Sequence, residues 1–213
     1  MESQVRGGTR WKRFAVVMVP SVAATAAIGV ALAQGALAAS FSVSGQSFKV
    51  TADRLEGKGF SQYGAIDSGK SLDGSKDENH PVAVSAFRTA TINNLCQSVV
   101  TPTPFGNVSL ILKAGGGKSP VEAENLYIDV ADLTADATFT NMDIGVAAGS
   151  IDKGPGVKAG ELKNKQTSPF GFAQQAETAT LTGVKQTAWA TTAGTFKLSG
   201  LSMSLATGTK ECY

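Results

Sequence analysis

Histidine and cysteine are scarce in this sequence, which has one histidine, His80, and two cysteines, Cys96 and Cys212. Two cysteines and one distant histidine cannot supply the four ligands of a structural zinc site. A serine hydrolase of the triad type needs a base beside its nucleophile, and His80 lies in the polar segment 76–81, where we expect a solvated loop. The sequence therefore identifies no catalytic residue, no metal site and no cofactor site.

Charge is also sparse, because charged residues make up 17% of the chain and its formal net charge is +2. Four basic residues outweigh Glu2 within residues 1–38, which leaves a net charge of about −1 on residues 39–213. A nearly neutral domain without a cluster of basic residues lacks the positive surface that binds the phosphates of nucleic acid. We do not expect a nucleic-acid partner.

Acidic residues occur in two groups, and the spacing of neither group fits a calcium-binding loop. Nothing in the spacing selects a pair of carboxylates for glycoside hydrolysis either. We expect these side chains to be solvated residues of turns and strand faces. The groups are Asp73, Asp77 and Glu78, and Asp129, Asp132, Asp136 and Asp143.

The N-terminal segment has the three-part pattern of a secretory signal. A positive region, residues 1–13, precedes an uncharged run over residues 14–33, and Ala36 and Ala38 provide the small residues that a signal peptidase requires. The pattern predicts a signal peptide over residues 1–38, cleaved after Ala38 or Ala39. The uncharged run is also long enough to span a bilayer, so retention as a membrane anchor through residues 14–33 is the alternative, and a buried helix is the third. Both leading alternatives place residues 39–213 outside the cytoplasm, secreted or membrane-anchored.

The two cysteines agree with an extracytoplasmic location. An even number of cysteines in an oxidising compartment favours one disulfide, Cys96–Cys212. It would close a loop of more than a hundred residues. Two free or intermolecular cysteines are the alternative.

Short alternating apolar and polar segments recur after residue 40, separated by glycine, proline, asparagine and aspartate. A period of two is typical of half-buried strands. The pattern predicts an all-β domain over residues 39–213, with a single antiparallel, strongly bent sheet or sandwich-like core, preceded by one N-terminal hydrophobic helix. A barrel-like sheet is the alternative. The clearest strands are Phe48–Ala52, Val108–Leu112, Leu126–Val130 and Phe196–Leu198.

The alternation slips by one residue at six places, where the next apolar residue follows three positions on instead of two. In a flat strand this step would turn the second side chain to the other face. A bulge or bend absorbs the extra residue and keeps both side chains inward; the competing interpretation is that each slip is a strand ending at a turn. The pairs are Ala52/Leu55, Ile92/Leu95, Val130/Leu133, Phe139/Met142, Leu181/Val184 and Leu198/Leu201.

Five segments together resemble an uncharacterised family of exported actinobacterial proteins that is defined only as a domain of unknown function. They are VTADRLEGKGFSQYG, TINNLCQSV, NLYIDVADLTADATFTNMDIG, FGFAQQAE and QTAWATTAGTFKLSGLSMSL. The likeness covers nearly the whole chain. Some members of that family carry the label cholesterol esterase, which implies a lipid esterase as one function and attaches no catalytic residue to it.

These observations predict a non-enzymatic protein of the cell envelope that binds an apolar ligand such as a lipid, or an envelope component. The resemblance implies a second function, a lipid esterase of the sterol-ester type. A third alternative is a structural coat subunit that self-associates through exposed strand edges.

Overall fold

The computed structural model describes residue 18 and residues 43–213, and these consist mainly of β-strands. Apart from residue 18, the predicted signal segment, its cleavage site and the hydrophobic helix lie outside the described residues. Within the described part, no helix has the length and hydrophobicity needed to cross a membrane. The strands are β1 (Phe48–Lys70), β2 (Asp77–Asn93), β3 (Leu95–Thr103), β4 (Gly106–Ala114), β5 (Val121–Ala147), β6 (Phe172–Thr192), β7 (Thr195–Lys197) and β8 (Ser202–Thr207), and the helices are a 3₁₀ turn (Ala148–Ser150) and α1 (Ala159–Lys163).

All the named strands pair in antiparallel fashion, which confirms the predicted all-β fold. The sheet closes on itself: β1 pairs with β2 and β6, and β5 also pairs with β2 and β6. We call these four strands the ring. They are 17 to 27 residues long, so the right-handed twist of a sheet can carry the far half of β5 back onto β6. The core is therefore barrel-like.

The pairing around the ring is strongly staggered. Glu124 on β5 pairs with Thr89 on β2, Thr89 with Lys58 on β1, Lys58 with Thr178 on β6, and Thr178 with Thr140, which lies sixteen residues beyond Glu124 on β5. In a closed sheet, the offset in strand pairing, the tilt of the strands and the inner diameter depend on one another. The stagger gives four strands a wider interior than they would enclose without it.

Four of the six predicted slips fall inside continuous strands, as the bend interpretation requires. The slips after Ala52 and Leu181 meet where β1 and β6 leave Asp53 and Gly183 unpaired. The slip after Val130 coincides with a register shift of β5 between Val130 and Asp132. The slip after Phe139 contains Asn141, which adopts a positive φ of 53°. At Asn94, with φ 51°, the chain passes from β2 into β3. The Ile92/Leu95 slip therefore lies at a strand end, and the Leu198/Leu201 slip lies in the turn between β7 and β8.

A branch of three further strands extends the sheet from the first residues of β1. β3 pairs with Lys49–Thr51, β4 pairs with β3, and β8 pairs with β4 and forms the edge. Cys96 on β3 is joined to Cys212 by a disulfide, with a Cα–Cα distance of 5.9 Å. The backbone N–H of Cys212 donates to Ser98 Oγ at 3.0 Å. These two bonds fasten the C-terminal residues to the branch.

Residues 148–171, which we call the cap segment, lie across one end of the ring. Ser61 Oγ donates to the carbonyl of Pro155 at 2.6 Å, and the N–H of Ile66 donates to the carbonyl of Gln166 at 2.9 Å. β1 pairs with β6 only as far as Tyr63. The hydrogen bond from Ile66 therefore satisfies a backbone N–H of β1 that has no partner on β6. The cap segment therefore covers a strand edge that would otherwise face solvent.

Candidate functional site

A cavity of about 240 Å³ lies between the inner faces of the ring strands. Alternate side chains of each strand point to the same face of a sheet. On these strands most of the side chains that point inward are apolar, so the deep walls of the cavity are apolar. All four strands contribute to these walls. The buried apolar residues lining the cavity are Leu55, Phe60, Phe87, Ile128, Leu181 and Val184.

One wall of the cavity is formed by the second half of β5, where that strand pairs with β6 but no longer with β2. Four alternating side chains of this half line the cavity: Leu133, Ala135, Ala137 and Phe139. Leu133 is 38% exposed and Ala137 is exposed as well. The cavity is therefore open to solvent along this stretch of β5.

Three phenylalanine rings close one end of the cavity. The ring centroid of Phe60 lies 5.4 Å from that of Phe87 and 5.1 Å from that of Phe139, in tilted arrangements that aromatic pairs favour. Phe87 packs closely on β1, because a Cβ added at Gly57 would lie 2.1 Å from its Cδ1. The glycine is needed there for close approach, and it was not recognisable in the sequence among 24 glycines.

The polar lining of the cavity consists of uncharged side chains. Gln174 Nε2 donates to Gln62 Oε1 at 2.5 Å, and Gln62 Nε2 donates to Ser85 Oγ at 2.8 Å. The fourth polar residue is Gln186, which is 7% exposed. An apolar pocket with a few placed polar groups is the usual character of a small-molecule site.

His80 is not the solvated loop residue that the sequence predicts, and this expectation is wrong. Residues 77–81 continue β2 and pair with β1, so that His80 lies opposite Asp67. Its ring stacks on Trp189 with centroids 3.5 Å apart, and its Nε2 lies 3.5 Å from Glu78 Oε2. Within residues 43–213, no hydrogen bond joins His80 to a hydroxyl group.

Asp129 is a second correction, since we expected it on a solvated strand face. It is 2% exposed, and Lys158 Nζ from the cap segment donates to its two oxygens at 2.8 and 3.0 Å. Asp132 and Asp136 are exposed, as expected. The alternation alone could not distinguish these aspartates, because the lysine that allows Asp129 to be buried lies 29 residues further along the chain.

Lys158 is at the centre of a buried charge cluster that also contains Asp67, Asp129 and Glu161. Its Nζ lies 3.1 Å from Glu161 Oε1. Burial alone would lower the pKa of Lys158, but Asp129 and Glu161 outweigh it and raise that pKa. Burial raises the pKa of Asp129 and of Glu161. Burial, followed by repulsion from Asp129, raises the pKa of Asp67 to about 7.

This charge cluster attaches the cap segment to the ring. Tyr63 supports it, since its Oη accepts a hydrogen bond from the N–H of Lys158 at 3.2 Å. Among the described residues, no group of histidine, cysteine, aspartate and glutamate side chains has the arrangement of a metal site. The sequence did not reveal the cluster, because its members come from β1, β5 and the cap segment.

Asp67 should make the protein more stable in mild acid than at alkaline pH. The folded carboxyl keeps its proton up to a pKa of about 7, whereas its ordinary value is 3.8. The folded state therefore binds more protons between these values, and its stability falls as the pH rises through this range. We expect Asp67→Asn to raise the free energy of unfolding at pH 8 by on the order of 2 kcal/mol and to change it little at pH 4. Urea denaturation at both pH values measures this, and an equal effect at the two would contradict it.

Comparison with known proteins places the chain in a family but adds no activity. The model of the family of unknown function DUF6230 matches residues 44–213, nearly all of the described β-domain. Neither a curated protein nor a solved structure matches the chain. The resemblance to an uncharacterised family is confirmed, whereas the source, the export and the esterase label stay predictions. On the extent of that match, the chain belongs to the family of unknown function DUF6230.

Proposed function

We propose that this protein is an extracytoplasmic, non-enzymatic component of the cell envelope that binds an apolar ligand in the ring cavity. The cavity is the observation that carries the proposal. It is lined on all four strands by apolar side chains, its polar groups are few and uncharged, and β5 leaves a way in beside Leu133 and Ala137. The location outside the cytoplasm is supported by the pattern of residues 1–38 and by the disulfide.

The apolar walls of the cavity also favour an occupant. The cavity of about 240 Å³ is open to solvent beside β5, so water reaches its apolar side chains. A bound apolar molecule would displace that water and bury the apolar walls, which stabilises by roughly 25 cal/mol per Å² of apolar surface removed from water.

Covering the entrance should prevent binding. We expect Ala137→Trp to weaken the binding of diphenylhexatriene, a pure hydrocarbon that fluoresces out of water, by at least about tenfold, because the indole covers the opening beside β5. The matched control is Thr138→Trp, since Thr138 is exposed and adjacent residues of a strand point to opposite faces. Fluorescence titration measures both. Equal affinities for the two variants, or no binding by the unmodified protein, would sink the proposal.

Self-association as a coat subunit is the second function that an observation favours. β8 forms the edge of the branch, and its sequence SMSLAT has no charge and no proline to discourage pairing. Met203 is 60% exposed and Leu205 is 73% exposed. Sedimentation of the purified protein tests this function, and a species that stays monomeric at high concentration would rule it out.

The esterase that the resemblance implies has weaker support in the geometry. Within the part of the chain that the structure describes, Ser85 is the one hydroxyl-bearing residue in the lining of the cavity, and its Oγ accepts a hydrogen bond from the Gln62 amide. An amide is not a general base, and the one histidine is stacked on Trp189. Labelling of Ser85 by a fluorophosphonate would restore the esterase as the leading function.

A further inference from the structure

The most unusual polar group in the cavity is the side-chain amide of Gln186. It is 7% exposed, it lines the cavity, and its side chain makes no hydrogen bond to another residue of 43–213. The amide nitrogen and oxygen are not fully enclosed, so water in the cavity can reach them. A ligand that enters the cavity would displace that water, and the amide would then lack a hydrogen bond unless the ligand supplied one.

The side chains that flank Gln186 across the sheet are apolar. Its neighbours across the sheet are Val50 on β1 and Leu133 on β5, and neither side chain carries a hydrogen-bonding group. The glutamine chain described above includes Gln62, Gln174 and Ser85 and does not reach Gln186. The carbonyl and the amide N–H₂ of Gln186 are both available to a ligand.

The cavity also discriminates by charge, because among the described residues no lysine, arginine, aspartate or glutamate lines it. A carboxylate or ammonium group brought into it would lose its hydration without meeting an opposite charge. A neutral hydroxyl group would lose less and would gain hydrogen bonds to the Gln186 amide. Since pockets for drug-sized molecules start at roughly 300 Å³, a cavity of about 240 Å³ suits one small molecule or one alkyl chain.

We propose that the ring cavity selects a single-chain amphiphile with an uncharged, hydroxyl-type polar end, and that Gln186 is the residue that recognises this end. The inference rests on the proposed apolar-ligand function and deepens it. Gln186 supplies specificity, while the phenylalanine and aliphatic walls supply contact area.

The test compares 1-octanol with octanoate, which have the same chain length and differ at the polar end. Each displaces diphenylhexatriene from the full-length protein at pH 8, where octanoate is ionised. For the unmodified protein we expect octanol to compete at least about tenfold better than octanoate. For Gln186→Leu we expect octanol to lose about tenfold in affinity, whereas diphenylhexatriene, which forms no hydrogen bond, binds as well or better.

Two further variants keep the result interpretable. Lys185→Gln changes the exposed neighbour of Gln186 on the opposite face of β6 and should leave both affinities unchanged. Gln186→Met removes the amide with a flexible side chain, in case leucine disturbs the packing. If diphenylhexatriene binds but octanol and octanoate compete equally, or if neither Gln186 variant weakens octanol, the inference fails and the proposed function survives. If diphenylhexatriene does not bind, the proposed function itself fails.

Discussion

Replacing both Cys96 and Cys212 by serine should lower the free energy of unfolding by about 4–5 kcal/mol. The disulfide spans 116 residues of sequence, and in the chain-entropy model the gain from a cross-link grows with the length of the loop that it closes in the unfolded chain. The closed loop contains all the strands from β4 to β8. Urea denaturation of the oxidised protein and of the double variant measures the difference.

Two controls separate this cross-link effect from local contacts. Reduction of the unmodified protein should reproduce the loss, because it removes the same bond without changing the sequence. Ser98→Ala removes only the hydrogen bond that Ser98 Oγ accepts from the N–H of Cys212, and should cost about 1 kcal/mol. A double variant that is as stable as the oxidised protein would show that the unfolded chain is not constrained by this bond.

Most of the fold was predictable because it follows from local patterns. Alternation identified the strands around Phe48, Val108, Leu126 and Phe196, and it identified the bends inside β1, β5 and β6 where the alternation slips. Closure of the ring was only one of several alternatives. It depends on β5 being long enough to pair with β2 through its first half and β6 through its second, and no local pattern reports strand length across a bend.

The candidate site was much less predictable than the fold. In the sequence, the second half of β5 has the alternation of an ordinary strand face. Only closure of the ring turns that face toward a cavity, which is lined by Leu133, Ala135, Ala137 and Phe139. Gln186 is one of several glutamines, and only the closed ring shows that this one faces the cavity. The charge cluster also depends on contacts between distant parts of the chain, such as the 29 residues between Asp129 and Lys158.

Lys158→Met should be among the most destabilising single changes at alkaline pH. The lysine is 6% exposed and holds Asp129 and Glu161 at distances of 2.8 to 3.1 Å. Methionine retains much of the side-chain volume but removes the positive charge, which leaves buried carboxylates that repel one another. Breaking a buried ion pair from one side typically costs 3–5 kcal/mol, and we expect a loss of about that size at pH 8.

A matched surface variant distinguishes burial from charge alone. Lys197 Nζ also forms an ion pair, at 3.1 Å from Glu122 Oε2, but the two side chains are 63% and 51% exposed. Exposed pairs of this kind contribute roughly 0–1 kcal/mol. Lys197→Met should therefore cost no more than about 1 kcal/mol in the same urea denaturation experiment.

The pH dependence of the Lys158→Met variant identifies the cause of its loss. Burial already raises the pKa of Asp129 and of Glu161, and without the lysine both pKa values should rise further. The folded variant then binds protons at pH values where the unfolded chain has released them, so its stability must increase as the pH falls. The deficit relative to the unmodified protein should shrink between pH 8 and pH 5, because protonated carboxyls no longer repel one another. A deficit that is the same at both pH values would instead assign the loss to the packing of the lysine side chain, and the cluster would have no electrostatic role in holding the cap segment.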